Sequence, residues 1–278
     1  MSICYFSTYL YCRENSFIID DASTTNLKIS FELPEYSIIE DGDYHYIEFF
    51  GNVITPQDDP EVHIFSTIIQ SVNQAEYEIL IISKDQLLIN EVRLRPTTKL
   101  RRDDNPIFEK KENTTIDQQD ENYPESLTEI SLPMVMRGIS MQKLSIYPFQ
   151  YNPIEHTLTI TKHIEINLIP KSSETETFSM LGSKAFEPIY KQLSTNYSQP
   201  DDYQQQAILY VCGGDACDTE AFQELANWRH RIGFVVYTVS TTKIGSSTQN
   251  IKDYIQSAYD NFDPPPEYVT LVGDVGGS

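Results

Sequence analysis

Near its C-terminal end the chain carries three short apolar runs, Ala207-Ile-Leu-Tyr-Val211, Phe234-Val-Val-Tyr-Thr-Val239 and Tyr268-Val-Thr-Leu-Val272. The first run is continuously apolar, which is typical of a strand covered on both faces of a parallel sheet. Between the second and third runs, apolar residues recur at helical spacing from Ile251 to Tyr259. Strand and helix therefore alternate with short connections, which predicts a right-handed parallel βαβαβ unit.

Each predicted helix of this unit carries its own start signal. Asp218 or Thr219 can cap the first helix, and Gly233 stands where that helix is expected to stop. Ser246 with Gln249 forms a capping box for the second helix. Three strands and two helices make about half of an ordinary doubly wound domain, so we expect a truncated α/β domain over 207–278. One face of the first helix is predicted to hold Phe222, Leu225, Ala226 and Trp228.

The N-terminal part of the chain has a different pattern. From Tyr44 to Ile169 it consists mostly of short alternating apolar runs, which are typical of half-buried strands and predict a β-rich, sandwich-like domain over 1–170. The strongest hairpin signal surrounds Asn152-Pro153, with Leu144 to Tyr147 before the turn and Leu158 to Leu168 after it.

Two polar stretches interrupt these domains. Residues from about 101 to 125 are almost wholly polar, which favours a long mobile acidic loop. The stretch 171–206 is predicted to be a linker that contains one helix, Phe178 to Leu193.

Composition excludes several functional classes. The 278 residues include 20 Lys and Arg and 41 Asp and Glu. The resulting formal charge of −21 would repel nucleic acid and anionic lipid. No apolar run approaches the roughly 18 to 20 residues that a membrane span needs, so no membrane span is expected. The first 17 residues lack the pattern of an export signal.

The cysteines and histidines form no metal-binding pattern in the sequence. No zinc-binding spacing of cysteines or histidines occurs, and four cysteines are too few for a scaffold built on disulfides. The disulfide state of Cys4, Cys12, Cys212 and Cys217 stays open. His230 ends a predicted helix, where a cation complements the dipole. Solvent-facing positions or cross-strand pairs are expected for His45, His63, His156 and His163.

Candidate functional residues lie at the carboxyl ends of the predicted strands, where ligands of parallel sheets collect. Gly213-Gly214 lacks the spacing of a phosphate loop, and a tight turn is favoured. Cys212 has no nearby base, so plain packing is favoured over a nucleophile, and a disulfide with Cys217 stays open for an exported protein. Asp274 has the chemistry of a calcium ligand, although spacing alone favours a turn residue.

Three segments together resemble the opening of the catalytic domain of gingipain-type cysteine peptidases. They are Phe222-Gln-Glu-Leu-Ala-Asn-Trp-Arg-His-Arg-Ile-Gly-Phe234, Ile251-Lys-Asp-Tyr-Ile-Gln-Ser-Ala-Tyr259 and Pro265-Pro-Glu-Tyr-Val-Thr-Leu-Val-Gly-Asp274. Upstream, Pro133-Met-Val-Met-Arg-Gly138 and Tyr147-Pro-Phe-Gln-Tyr-Asn-Pro153 are similar to the β-rich pro-domain of that family.

The resemblance implies a caspase-like α/β fold, secretion or a cell-surface location, and a pro-domain that contacts the catalytic domain and holds the enzyme latent. It also implies hydrolysis of protein or peptide substrates by a Cys thiolate with a His base. The family's catalytic His and Cys follow the Gly-Asp strand end, so no catalytic residue is assigned here and the 278-residue chain is expected to be inactive. Asp274 matches the family's calcium-ligating aspartate, which implies a structural calcium ion.

Alternatives stay open beside the peptidase hypothesis. The same framework could be a non-catalytic surface binding or structural module that has lost its dyad. A flavodoxin-like binding domain is a weaker hypothesis, because no phosphate loop occurs. For latency, Lys99, Arg101 or Arg102 could fill the substrate pocket, or the adjacent acidic loop could be cut during maturation, although a solvated charge run is the simpler interpretation.

Overall fold

The computed structural model describes most of the chain, namely residues 16–23, 26–49, 62–71, 75–95, 120–171 and 181–273. The chain divides into two compact units. The first contains Met1–Phe178 and Leu193–Tyr197, and the second contains Ser179–Gln192 and Ser198–Ser278. Within the described ranges, no helix is both long and apolar enough to cross a membrane.

The described part of the first unit consists of β-strands. In chain order they are β1 (Phe17–Ser23), β2 (Asn26–Glu32), β3 (Tyr36–Asp41), β4 (Tyr44–Phe49), β5 (Phe65–Gln70), β6 (Tyr77–Ile89), β7 (Thr128–Ile130), β8 (Met134–Met136), β9 (Ile139–Ile146), β10 (Phe149–Asn152) and β11 (Thr157–Pro170). Antiparallel pairing joins them into two main sheets. One has the order β1-β2-β11-β10 with β6 also on β11, the other has the order β5-β9-β7 with β8 also on β9, and β3 and β4 form a separate pair.

The two main sheets bury their apolar faces against each other. Ile29, Phe31 and Ile166 come from the larger sheet, and Leu144 and Ile146 come from the smaller one, and all five belong to one buried cluster. Alternate residues of each strand point to the same face, so every second position enters this core. The predicted β-sandwich is therefore confirmed.

The hairpin around Asn152-Pro153 is present, but its first strand differs from the prediction. Phe149 pairs with Ile160 and Asn152 pairs with Thr157, so β10 and not the predicted Leu144 to Tyr147 run forms the hairpin with β11. That earlier run belongs to β9, which pairs with β5 in the other sheet. The chain changes sheets at Pro148, which has no backbone N–H to place in a ladder.

The end of the predicted acidic loop packs against the hairpin. Tyr123 and Tyr151 exchange two backbone hydrogen bonds of 2.8 Å, and Asn152 Nδ2 donates to Asp120 Oδ1 at 3.2 Å. The rest of that predicted loop, up to residue 119, lies outside the described residues, as do Lys99, Arg101 and Arg102.

The histidine predictions hold for His163 but fail for His63. His163 Nδ1 lies 2.7 Å from Glu32 Oε1 on the neighbouring strand, which is the expected cross-strand pair. The expectation of a solvent-facing or cross-strand His63 is wrong. Its ring is buried edge-on against Phe49, with centroids 4.7 Å apart, and its Nε2 donates to Ile47 O at 2.9 Å. Aromatic packing and one backbone acceptor explain why this histidine is inside.

The second unit has alternating strands and helices. In chain order they are α1 (Glu187–Leu193), β12 (Ala207–Cys212), a short 3-10 helix (Ala216–Asp218), α2 (Glu220–Arg231), β13 (Val235–Ser240), α3 (Thr241–Ile244), α4 (Thr248–Asn261) and β14 (Tyr268–Val272). The strands are parallel in the order β13-β12-β14. This confirms the predicted βαβαβ unit. The linker helix is shorter than the predicted Phe178 to Leu193.

Helices cover both faces of the central strand β12, all six residues of which are buried. Ile208 and Tyr210 pack on one side with Phe222 of α2. Leu209 and Val211 pack on the other side with Ala258 of α4. A strand covered on both faces needs apolar residues at successive positions, which is the pattern that the sequence shows.

The helix caps follow the predicted chemistry with one shift of position. Thr219 caps α2 and accepts a hydrogen bond from Phe222 N at 3.4 Å. For α4 the cap is Ser247, which accepts from Asn250 N at 3.2 Å, and not the predicted Ser246. The predicted apolar face of α2 is also too wide: Phe222 and Ala226 are buried, but Leu225 and Trp228 remain 39% and 45% exposed.

Candidate functional site

The carboxyl ends of the three parallel strands form the candidate site. Cys212 lies between Ser240 of β13 and Val272 of β14 in the sheet register. We define the strand-end site as residues Cys212–Asp215, Ser240–Thr242 and Val272–Gly273. Because parallel strands end at the same edge, residues that are distant in sequence meet here.

A disulfide bond joins Cys212 to Cys217 across this edge, with the two Cα atoms 5.6 Å apart. Room for the bond exists because α2 begins only at Glu220, after a short 3-10 turn. The predicted helix start at Asp218 or Thr219 therefore leaves the pairing of Cys212 with Cys217 possible. A thiolate is the nucleophile of a cysteine peptidase, so Cys212 cannot serve as one while the bond is intact. Cys4 and Cys12 lie outside the described residues.

The glycine pair after β12 turns its amides inward. Gly213 N–H donates to Val272 O at 2.7 Å, and Gly214 N–H donates to Thr241 Oγ1 at 3.1 Å. Gly214 O in turn accepts from Ser240 Oγ at 2.5 Å. A phosphate-binding loop needs its amide hydrogens aimed at the ligand. These amides are already bonded within the protein, which favours the predicted tight turn.

Gly273 brings the chain after β14 close to the glycine pair. Its φ is +148°, and a Cβ at this position would lie 3.6 Å from both Cα and N of Gly213. Glycine is favoured in this conformation because it has no Cβ. The predicted calcium ligand, Asp274, follows Gly273 directly and lies outside the described residues.

The described residues of the strand-end site do not form a complete catalytic centre. Among residues 181–273, and in the rest of the described chain, no three His, Cys, Asp or Glu side chains converge on one point that could hold a metal ion. Asp215 is exposed at this edge. The described part of the strand-end site is a strand edge held by hydrogen bonds and by one disulfide bond.

Sequence reasoning missed the roles of Ser240 and Thr241. Ser240 caps α3 by accepting from Thr242 N at 3.2 Å, and it also fixes Gly214. The signal for this was the Ser-Thr-Thr sequence directly after the second apolar run, since hydroxyl residues favour helix starts.

Two family models match consecutive parts of the chain. Residues 45–200 match the propeptide of family C25, and residues 201–278 match peptidase family C25. The boundary between the two matches lies a few residues before β12.

Curated relatives are similar over just over half of the chain. Lys-gingipain of Porphyromonas gingivalis is 25% identical over 161 residues, which cover 54% of this chain and 9% of the relative. Gingipain R2 of the same species is 24% identical over 167 residues, which cover 56% of this chain and 22% of the relative. The chain thus spans about a tenth to about a fifth of the length of these relatives.

A solved structure shares the fold. The complex of Porphyromonas gingivalis RgpB pro- and mature domains matches with a TM-score of 0.56 at 20% identity, covering 67% of this chain and all of the matched chain. At this identity the likeness concerns the fold alone. Since the propeptide match alone spans more than half of the residues and the peptidase match follows it, this chain belongs to the gingipain-type cysteine peptidases of family C25.

Proposed function

We propose that this chain is the front part of the zymogen of a secreted, gingipain-like cysteine endopeptidase, and that the catalytic Cys and His follow Ser278. The observation that carries the proposal is the order of the family matches, since the propeptide match at 45–200 leads directly into the peptidase match at 201–278. The first unit is then the pro-unit, and the second unit is the opening of the peptidase domain.

The strand-end site supports a nucleophile outside the described residues. Its cysteine is held in a disulfide with Cys217, so a reactive thiolate has to come from another part of the product. The chemistry of the family needs that thiolate, an imidazole that takes the thiol proton, and backbone N–H groups that stabilise the oxyanion. Parallel sheets collect such groups at the carboxyl ends of their strands, which is where Cys212 and Gly273 lie.

The exposed apolar residues of β14, one of the two edge strands of the parallel sheet, also support a larger domain. Leu271 and Val269 point to the α4 side of the sheet and remain 65% and 42% exposed. Burying a side chain of this kind contributes roughly 1.5–3 kcal/mol, so an apolar strand at this position favours a further covering element.

Secretion is supported by the disulfide. Disulfide bonds persist in oxidising surroundings such as the extracellular space and the cell surface, and are rare in the reducing cytosol. The bond between Cys212 and Cys217 therefore favours an extracellular or cell-surface location for the product.

Latency is proposed by analogy with the relative whose structure is a complex of pro- and mature domains. The pro-unit would contact the peptidase unit and keep substrate out until maturation. A role for Lys99, Arg101 or Arg102 in that contact stays a prediction, because these residues lie outside the described ones.

Calcium binding at Asp274 also stays a prediction. Calcium takes six to eight oxygen ligands, and the described residues gather no group of three acidic or other metal-binding side chains. The other ligands of an ion at Asp274 would therefore be backbone carbonyl oxygens, waters or side chains from residue 274 onward.

The test is peptide hydrolysis by the product that continues past Ser278. After maturation it should cleave peptide substrates, and iodoacetamide should abolish the activity because it alkylates the thiolate. The 278-residue chain is the matched control and should be inactive under the same conditions. Activity that iodoacetamide does not affect would contradict the proposal, and a mature product without activity would favour the non-catalytic module.

A further inference from the structure

The disulfide bond at the strand-end site joins two cysteines that have different surroundings. Cys212 is the last residue of β12 and is 0% exposed. It lies between Ser240 of β13 and Val272 of β14, so its position is fixed on both sides. Cys217 lies instead on the short 3-10 helix and is half-buried. A thiol from solvent therefore has access to the bond on the Cys217 side only, and the accessible sulfur decides where exchange begins.

The chain between β12 and α2 is held mainly by this covalent bond. We define the disulfide loop as residues 213–218. Its hydrogen bonds to the neighbouring strand end come from hydroxyl groups, since Gly214 N–H donates to Thr241 Oγ1 at 3.1 Å and Gly214 O accepts from Ser240 Oγ at 2.5 Å. Gly214 is exposed, and a hydrogen bond that water can replace contributes only modestly.

The elements on either side of the disulfide loop are held without the disulfide. β12 is hydrogen-bonded to β13 and to β14, and all six of its residues are buried. α2 has its own cap at Thr219, and it packs Phe222 and Ala226 into the core. Opening the bond should therefore release the disulfide loop and leave the parallel sheet and α2 folded.

Acidic side chains surround Cys217 in the chain. Asp215 and Asp218 lie on either side of it, Glu220 follows three positions later, and all three are exposed. The formal charge of −21 adds to their field. The attacking thiolate of an amino thiol has no net charge, whereas that of a sulfonated thiol carries two negative charges. The acidic residues should therefore repel the second far more strongly than the first.

We propose that Cys217 is a site of reversible thiol exchange, at which a small neutral or cationic thiol forms a mixed disulfide and releases the disulfide loop. The thiolate attacks the sulfur of Cys217 and a new S–S bond forms between them. The bond from Cys217 to Cys212 breaks, and its electron pair leaves with Cys212 as a thiolate. One disulfide bond replaces another, so the step needs no oxidant.

The burial of Cys212 makes the exchange reversible. Its expelled thiolate lies at a position that is 0% exposed, where a charge is unfavourable. When the small thiol is removed, this thiolate attacks Cys217, expels the small thiolate and restores the original bond. The exchange involves no peptide hydrolysis, so it can hold or fail independently of the proposed function.

The first measurement locates the mixed disulfide. The folded 278-residue chain is titrated with cysteamine without oxygen and quenched in acid, and tandem mass spectrometry identifies the modified cysteine. Cysteamine should be found on Cys217 and not on Cys212, and desalting before the quench should restore the original bond. The matched control is an oxidised peptide of residues 210–219, in which both cysteines are accessible and both should be modified. Cysteamine on Cys212 of the folded chain, or a bond that stays intact at concentrations that open the peptide, would overturn the proposal.

The second measurement tests the class of thiol. Per thiolate, cysteamine should open the bond at least about threefold faster than 2-mercaptoethanesulfonate, because the acidic residues repel the sulfonate. The difference should shrink in about 1 M salt. It should also narrow in Asp218→Asn, and Glu78→Gln on β6 is the matched control that should leave it unchanged. Equal rates for the two thiols, or a preference that Asp218→Asn does not alter, would contradict the assignment.

The third measurement tests the release of the disulfide loop by hydrogen exchange. With cysteamine bound, the amides of residues 213–218 should exchange at least about tenfold faster, while those of β12 and α2 stay within about threefold. In Cys217→Ser the loop is already released, so cysteamine should change nothing. If that variant does not fold, the comparison of the parent chain with and without cysteamine decides the question. An unchanged loop, or equal acceleration throughout the second unit, would overturn the proposal.

Discussion

Ser183 donates its hydroxyl hydrogen to the carboxylate of Glu267, 84 residues further along the chain. One partner lies in the region that matches the propeptide, and the other lies directly before β14 of the peptidase unit. This buried hydrogen bond thus joins the two matched regions within one compact unit.

Removing this hydroxyl should weaken the second unit. We expect Ser183→Ala to lower its free energy of unfolding by about 1–3 kcal/mol, because the Glu267 carboxylate stays buried without its donor. Urea unfolding followed by Trp228 fluorescence measures this, since Trp228 is the only tryptophan and lies on α2. An unchanged midpoint would show that the bond does not stabilise the unit.

The acid stability of the α1 region should depend on Glu187. The hydrogen bond from Lys191, with those from Gln199 and Tyr203, lowers the pKa of Glu187 from 4.5 to about 2. A depressed folded-state pKa stabilises the protein above pH 4.5, and the contribution is lost as pH falls through about 2. We expect the difference in stability between the parent and Glu187→Gln to be constant above pH 4.5 and to shrink below it. A difference that grows in acid would have the wrong sign.

The disulfide should stabilise the second unit under oxidising conditions. Cys212 and Cys217 are five positions apart, and closing so short a loop contributes about 2 kcal/mol in the chain-entropy model. We expect reduction, or Cys217→Ser, to lower the urea midpoint of Trp228 fluorescence accordingly. Mass spectrometry of the unreduced protein should give the two cysteines in one linked peptide. Separate alkylated peptides without reduction would contradict the pairing.

The sandwich core predicts a contrast between two leucines. Leu144 is fully buried between the sheets, and Leu88 on β6 is 57% exposed. We expect Leu144→Ala to cost about 2–5 kcal/mol, because it leaves a cavity, and Leu88→Ala to cost far less. Hydrogen exchange of the β9 amides measures both changes. Equal effects would argue against the packing of the two sheets.

The fold could be predicted well where the signals are local. The bounds of β14 agree with the apolar run Tyr268–Val272, because prolines precede it and Gly273 follows it. The cap at Thr219 follows from the same kind of local chemistry. Non-local pairings were harder to predict. Leu144 of β9 pairs with Thr67 on one side, 77 positions earlier, and with Ile130 on the other. No local pattern around Leu144 indicates that its partners lie on these strands and not across a hairpin.

The candidate site was only partly predictable, because several of its contacts join residues that are distant in sequence. Its position follows from the rule that ligands collect at strand ends, and Cys212 lies at that edge. The disulfide and the hydrogen bonds of Ser240 to Gly214 depend on loop geometry that the sequence does not specify. The stretch around Ser183 looks like a polar linker because its partner, Glu267, is remote in sequence.

The most direct test of the zymogen proposal identifies the reactive cysteine. The mature product that continues past Ser278 is inactivated with iodoacetamide, and the alkylated cysteine is located by mass spectrometry. We predict that loss of activity follows labelling of a cysteine after residue 278, while Cys212 remains in its disulfide. Inactivation through labelling of Cys212, or thiol-sensitive hydrolysis by the 278-residue chain alone, would contradict the account.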